Sequence, residues 1–110
     1  MRAALALALL LGGCAEMGER KVDAMIEARL EAGEALFTCR ESSSGPCHAV
    51  FVTEATRITA QAKQGEASSA TGLSPTTRYC VDASPPDPNG CRLKPLVEGQ
   101  QIARYTKMSP

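Results

Sequence analysis

The sequence predicts a small, mainly α-helical module held together by disulfide bonds. Two stretches, residues 18–39 and 46–64, repeat apolar residues at steps of three and four, which is typical of amphipathic helices. These stretches would form an N-terminal helical hairpin, followed by a C-terminal segment that is β-hairpin-like or irregular. The chain has no Trp, two Phe and two Tyr, so its core is expected to be thin. This composition argues against an enzyme with a large buried active-site cleft.

The first predicted helix carries the strongest apolar stripe. Acidic residues in its first half suit the dipole at a helix N-terminus. Such a stripe usually forms core, but the second helix offers few large residues to cover it. We therefore also consider it a candidate surface for a protein partner. The residues of that surface are Val22, Ile26, Leu30 and Phe37.

The second predicted helix follows a break at residues 42–46, where Pro46 suits a first helical turn. A strand competes with this interpretation because the stretch is rich in β-branched residues. Alternation of apolar and polar residues fails at Glu54 and Ala55, which favours the helix. The stripe consists of Cys47, Val50, Phe51, Ala55, Ile58 and Ala62.

The rest of the chain divides into a linker and a hairpin-like tail. Residues 66–76 are mostly Ser, Thr, Ala and Gly, and they indicate a flexible linker. Residues 77–110 contain an alternating stretch at 77–81 and a second short stretch at 91–94. Three prolines make the connection between them long, and Pro95 restricts the second strand to a sheet edge.

The N-terminus has the features of an export signal. Met1 and Arg2 precede the apolar run 3–11, which is too short to cross about 30 Å of hydrocarbon as a helix. The sequence Leu11-Gly12-Gly13-Cys14 follows at once and resembles the lipobox of bacterial lipoproteins. This resemblance implies that residues 1–13 are a signal peptide and that Cys14 carries diacylglycerol on its sulfur. It also implies that the new amino terminus is acylated, for example with palmitate, and that residues 14–20 form a lipidated tether.

The residue after the lipidated cysteine bears on location. In Gram-negative lipoproteins an Asp at this position tends to retain the protein at the inner membrane, and here the residue is Ala15. The resemblance therefore predicts an outer-membrane protein that faces the periplasm. The alternative is an ordinary signal peptide with an incidental cysteine.

The other four cysteines are expected to form two disulfide bonds, because their number is even and the compartment is oxidising. Four cysteines allow three connectivities. We favour the two short bridges because each encloses a turn-rich stretch. They are Cys39–Cys47 and Cys80–Cys91.

Other chemistry finds little support in the sequence. His48, the single histidine, follows Cys47, but C-x-x-C-H and C-x-x-C are both absent, which argues against haem attachment and thiol redox chemistry. The cysteine spacings do not fit a zinc knuckle, and neither G-x-S-x-G nor a phosphate loop occurs. No cofactor is predicted. Twelve basic and twelve acidic residues cancel, which excludes an electrostatic footprint for nucleic acid.

The charge is nevertheless uneven along the chain. Residues 14–41 are acidic on balance, and residues 76–110 are basic on balance, with five basic and three acidic side chains. The simplest interpretation of this uneven charge is two solvent-exposed faces of opposite sign. The more specific hypothesis is that the C-terminal part docks on an acidic partner.

The sequence thus predicts a non-enzymatic envelope lipoprotein with two partners, membrane lipid through Cys14 and an envelope protein. By analogy with small lipoproteins in general, it would be an accessory component of a secretion, conjugation or pilus apparatus. The alternative is a small ligand- or metal-binding surface lipoprotein that uses His48 and an acidic helix containing Glu27, Glu31 and Glu34.

Overall fold

The computed structural model describes the backbone of residues 19–108 and the side chains of residues 20–106. The signal peptide, Cys14 and most of the expected tether lie outside the described residues. The described chain is all-β and forms two four-stranded antiparallel sheets that pack face to face. The predicted mainly α-helical fold is therefore wrong, and both helices of the predicted hairpin are replaced by strands.

Eight strands build the two sheets. Sheet 1 has the order β5-β2-β1-β8, and sheet 2 has the order β4-β3-β6-β7. The strands are β1 (Glu19–Arg29), β2 (Glu34–Ser42), β3 (Pro46–Val52), β4 (Arg57–Lys63), β5 (Ala67–Thr71), β6 (Arg78–Asp82), β7 (Lys94–Pro95) and β8 (Gly99–Met108).

Small residues explain why β1 was mistaken for a helix. Its buried side chains alternate strictly with more exposed ones, but two of the four buried residues are Ala. Met25 is apolar and lies on the opposite face, so it hides this alternation in the sequence. The large residues Val22, Ile26 and Leu30 by themselves are spaced as in a helix. Counted with the alanines, the buried set has the period of two that a strand requires. It consists of Val22, Ala24, Ile26 and Ala28.

The second predicted helix is a β-hairpin, formed by β3 and β4. The residues that broke the alternation, Glu54 and Ala55, lie in the turn between these strands. Thr53 closes this turn, since its backbone N–H donates to Thr56 O at 2.9 Å and its Oγ1 accepts from the Thr56 N–H at 3.0 Å. The β-branched composition was the correct signal here.

The expected linker at residues 66–76 contains β5, which pairs with β2 from Glu34↔Thr71 to Thr38↔Ala67. Its Ala and Ser residues suit a strand because Ala70 fits into the closely packed core. The C-terminal segment contains an antiparallel pair, Arg78↔Pro95 and Tyr79↔Lys94. The second strand of this pair, β7, has two residues and lies at a sheet edge, as Pro95 requires.

The core fills the space between the sheets. Phe37 and Phe51 are its largest fully buried side chains, and alanines from six strands occupy much of the remainder. Both predicted disulfide bonds are present, with S–S distances of 2.07 Å for Cys39–Cys47 and 2.06 Å for Cys80–Cys91. The first joins β2 of sheet 1 to β3 of sheet 2, and both of its cysteines are fully buried. It therefore crosses the core and links the sheets covalently.

The second disulfide acts on the outer face of sheet 2. Val50 lies between Ala49 and Phe51, which belong to the core, so its side chain points away from the core; it is nevertheless fully buried. Its partner across the sheet is Cys80. The bond from Cys80 to Cys91 brings the Pro-rich loop 83–93 back towards this face, which accounts for the burial of Val50.

Candidate functional site

The two long sides of the sandwich differ. The described chain passes between the sheets at four connections, β2–β3, β4–β5, β5–β6 and β7–β8. We call the side bordered by β4 and β5 the closed side. Backbone hydrogen bonds join β2 to the β4–β5 turn there, because the Gly65 N–H donates to Cys39 O at 2.8 Å and the Cys39 N–H donates to Glu66 O at 2.9 Å.

The opposite side, which we call the open side, is bordered by β8 in sheet 1 and by β6 and β7 in sheet 2. The short β7 pairs only with Arg78 and Tyr79, so the second half of β6 has no neighbouring strand on this side. A cleft of about 570 Å³ opens there, within the usual size range of ligand sites. Strands β6, β7 and β8, the first part of β1 and the loop 83–93 contribute to its lining.

The walls of the cleft combine tyrosine rings with an ion pair. Tyr79 of β6 and Tyr105 of β8 line it from opposite sheets. Arg20 forms an ion pair with Asp82 through two contacts. Its Nε lies 3.0 Å from Asp82 Oδ1, and its Nη2 donates to Asp82 Oδ2 at 3.2 Å. The Ala83 N–H donates to Asp82 Oδ1 at 2.6 Å, so this buried carboxylate is well satisfied. The pair joins β1 to β6 and closes one end of the opening between the sheets.

The charge of the cleft is positive on balance. Its lining includes four basic residues and two acidic ones, Asp82 and Asp87. Arg20 is paired with Asp82, and Arg104 Nε lies 3.5 Å from Asp23 Oδ2. Within residues 20–106, the remaining two basic side chains make no ion pair, which leaves them available to an acidic ligand. They are Arg92 and Lys94.

Burial shifts the titration of one cleft residue. It raises the pKa of Tyr79 above the ordinary tyrosine value of 10.0, because desolvation disfavours the phenolate. The phenol, like any tyrosine at physiological pH, is neutral and can donate a hydrogen bond. Its ring centroid lies 6.3 Å from that of Phe51, which anchors Tyr79 to the core.

The structure does not support the partner surface proposed from the sequence. Val22, Ile26 and Phe37 are 0–1% exposed, and Leu30 packs partly buried against the core. These residues point between the sheets and cannot reach a partner in the folded domain. The large apolar residues that are exposed are instead Leu36, Ile102 and Val97.

The acidic helix of the alternative hypothesis does not exist. Glu27 lies in β1, Glu31 in the following turn and Glu34 at the start of β2, where it forms an exposed ion pair with Arg29 at 3.6 Å. His48 is partly buried in β3, opposite Gln61 and Asp82. Among the side chains at 20–106, the structure contains no group of three or more His, Cys, Asp or Glu residues that could hold a metal ion.

Sequence reasoning did not find the residues that line the cleft. Arg20 was assigned to the tether, and Tyr79, Arg92 and Lys94 to a hairpin-like tail. Their assembly depends on the pairing of β8 with β1, which brings together residues more than 70 positions apart. The one signal in the sequence was the basic excess of residues 76–110, which contribute most of the lining.

No helix in the described part of the chain is long and apolar enough to span a membrane. Comparison with known proteins identifies no relative, since the chain matches no family model, no curated protein and no solved structure.

Proposed function

We propose that this protein is a membrane-anchored lipoprotein of the bacterial cell envelope that acts as a non-enzymatic interaction or accessory component. Acyl chains on Cys14 would hold it at the outer membrane, with the β-sandwich in the periplasm. Ala15 favours this location over the inner membrane.

One observation carries the proposal: the other four cysteines are all used in two disulfide bonds. The fifth cysteine of the sequence, Cys14, takes part in neither of these bonds, and it follows directly on an apolar run and two small residues. Structural disulfides are characteristic of proteins exported to oxidising compartments. The disulfide pairing and the lipobox resemblance are separate observations, and both support export to an oxidising compartment.

The spacing between Cys14 and the first strand fits an anchored domain. β1 begins at Glu19, so only residues 15–18 separate the sandwich from the acylated cysteine. The five steps along the chain from Cys14 to Glu19 span at most about 18 Å when fully extended. The domain would therefore stay close to the membrane surface. More than one acyl chain is needed for stable anchoring, as lipoprotein maturation provides.

The open side of the sandwich supports a binding role. It combines a cleft, two tyrosines and basic side chains that make no ion pair with any side chain at 20–106. Accessory roles in secretion, conjugation or pilus machinery are common among small envelope lipoproteins, and by that analogy the partner would be a protein of such an apparatus.

Metabolic labelling tests the anchor. Cells that express the wild-type chain, Cys14→Ser or Ala15→Asp are fed an alkyne fatty acid, and their membranes are separated into inner and outer fractions. We expect label on the wild type and on Ala15→Asp but not on Cys14→Ser. Ala15→Asp serves as the matched control and should move to the inner-membrane fraction. A wild-type protein that is unlabelled and soluble would contradict the proposal.

A further inference from the structure

The free edge of β8 is the most prominent unpartnered feature of the described fold. β8 runs for ten residues, Gly99–Met108, and pairs only with β1. Apart from this pairing, no backbone group of residues 99–108 makes a main-chain hydrogen bond to another described residue. Half of the backbone donors and acceptors in an edge strand point away from its sheet, so β8 presents a row of them to the open side.

This edge lacks two of the usual protections. β8 contains no proline, and its register with β1 continues without a bulge from Glu19↔Met108 to Ala28↔Gly99. Natural sheets block exposed edges with prolines, bulges or charges because a bare edge recruits another strand. Here the remaining protection is positive charge, since residues 99–108 include Arg104 and Lys107 and no acidic residue.

The cleft lies directly beside this edge. Ala103 and Tyr105 of β8 line it and point towards the core side of sheet 1, while Ile102 lies on the outer face of that sheet. Side chains of a strand added to β8 would alternate in the same way. One set would enter the cleft opposite Tyr79 and Lys94, and the other set would extend the apolar surface that Ile102 forms with Met25, its partner in β1.

The charge of the cleft indicates which kind of strand would pair with β8. Arg92 and Lys94 line the cleft without an ion pair within residues 20–106. Acidic side chains that enter the cleft would meet both of them. A second copy of this chain pairing through β8 would offer residues 99–108, which contain no acidic residue to complement Arg92 and Lys94.

We propose that the free edge of β8 and the adjacent cleft bind an extended acidic segment of a partner protein, which adds to sheet 1 as a fifth strand. Main-chain hydrogen bonds to β8 supply much of the affinity, and the basic cleft supplies the preference for acidic side chains. This inference rests on the proposed function as an interaction component, and it names the surface and the chemistry of the partner.

A peptide selection tests the proposal. The mature protein, purified from membranes in detergent, is used to select binders from a displayed library of random ten-residue peptides. We expect the selected peptides to be enriched in Asp and Glu and depleted in Pro. A selected peptide should slow backbone hydrogen exchange in residues 99–106. A version N-methylated at alternate residues, which cannot pair with the edge, should lose binding.

Charge variants give the second readout. The variant Arg92→Glu/Lys94→Glu should weaken binding of the selected acidic peptide by about tenfold or more, if each contact has the strength of a favourable exposed ion pair. Lys63→Glu, an exposed reversal on β4 of the closed side, is the matched control and should leave the affinity unchanged. Neither change touches a buried side chain, so both variants should fold.

Three results would overturn the proposal: selection of basic peptides or of none, full binding by the N-methylated peptide, or a concentration-dependent dimer whose β8 is protected without peptide. The mass of the N-terminus, measured on the same sample, reports separately whether Cys14 is acylated. Loss of the anchor and loss of the binding site are therefore distinguishable.

Discussion

The closed and open sides of the sandwich are built from the same two sheets but by different means. On the closed side, the β2–β3 and β4–β5 connections cross between the sheets, Cys39–Cys47 joins the sheets through the core, and Phe37 is fully buried. Only the short β7–β8 connection crosses between the edge strands of the open side in the described chain. On the open side, the sheets end at β8 and at a half-paired β6, and tyrosines and charged residues line the gap. The open side has the cleft, and two of its basic side chains make no ion pair within residues 20–106.

The difference shows how a thin core and a binding site can coexist in one small domain. Alanines and two phenylalanines form the core, and a domain of this size has little stability to lose. The covalent link between sheets is made on the closed side. The open side can then leave backbone groups of β8 unpaired, provided that its charge keeps the edge from pairing with itself.

The largest expected effect comes from truncating the closed-side core. Phe37→Ala should lower the free energy of unfolding by about 3–5 kcal/mol, because it leaves a cavity at a fully buried position. Tyr105→Ala on the open side is the matched control and should cost roughly 1 kcal/mol, because Tyr105 is only partly buried. Urea unfolding of both variants measures the two values. Equal losses would remove the distinction between the sides.

Removing each disulfide bond in turn should give a smaller difference in stability between the two sides. Chain entropy alone predicts a loss of roughly 2.5–3 kcal/mol for removing either bond, because the loops are of similar length. The Cys39→Ala/Cys47→Ala variant should lose more than this, since both sulfurs lie in the core. The Cys80→Ala/Cys91→Ala variant should lose about the entropic amount and should also loosen the wall of the cleft.

Chemical denaturation of the two double variants, each still holding its other disulfide, provides the measurement. Proteolysis within residues 83–93 should accelerate only in the Cys80→Ala/Cys91→Ala variant. A larger stability loss from the outer bond than from the core bond would mean that the closed side does not dominate the stability.

The smallest expected effect is a pH dependence at the cleft wall. Burial raises the pKa of Tyr79 above 10.0, so the folded state holds this proton more tightly than the unfolded state does. The resulting contribution is fully present below pH 10 and is lost as the pH rises through the raised pKa. Tyr79→Phe should reduce this alkaline loss, measured as the urea midpoint from pH 8 to pH 11. An unchanged alkaline loss of stability would mean that a group other than Tyr79 causes it.

Disulfide pairing could be predicted from the sequence because it depends on short-range features. Each bridge closes a turn-rich stretch of about ten residues, and both pairs are present. The turn at Glu54 and Ala55 was also visible in the sequence as a break in alternation, although it was assigned to a helix.

The strands were missed because the core uses alanine at positions where a strand pattern is usually read from large residues. Ala24 and Ala28 in β1 and Ala70 in β5 are buried but carry little apolar signal. Gly33, within the first predicted helix, lies in the β1–β2 turn with φ +67°. A Cβ there would approach Leu73 O at 3.1 Å, so this turn favours glycine in two ways.

The cleft could not be predicted because it depends on contacts distant in sequence. Pairing of β8 with β1 brings Tyr105 near Arg20, and the ion pair of Arg20 with Asp82 spans 62 positions. Local periodicity and motif spacing carry no information about such contacts. The basic excess of the C-terminal region indicated the chemistry of the site but not its geometry.

The intact mass of the mature protein, purified from membranes and alkylated under denaturing conditions, tests the central claim most directly. We predict a chain that begins at Cys14, carries the added mass of its acyl groups and takes up no alkylating reagent, because its other four cysteines are paired. A soluble chain that retains residues 1–13, or a mature chain with alkylated cysteines, would contradict the account.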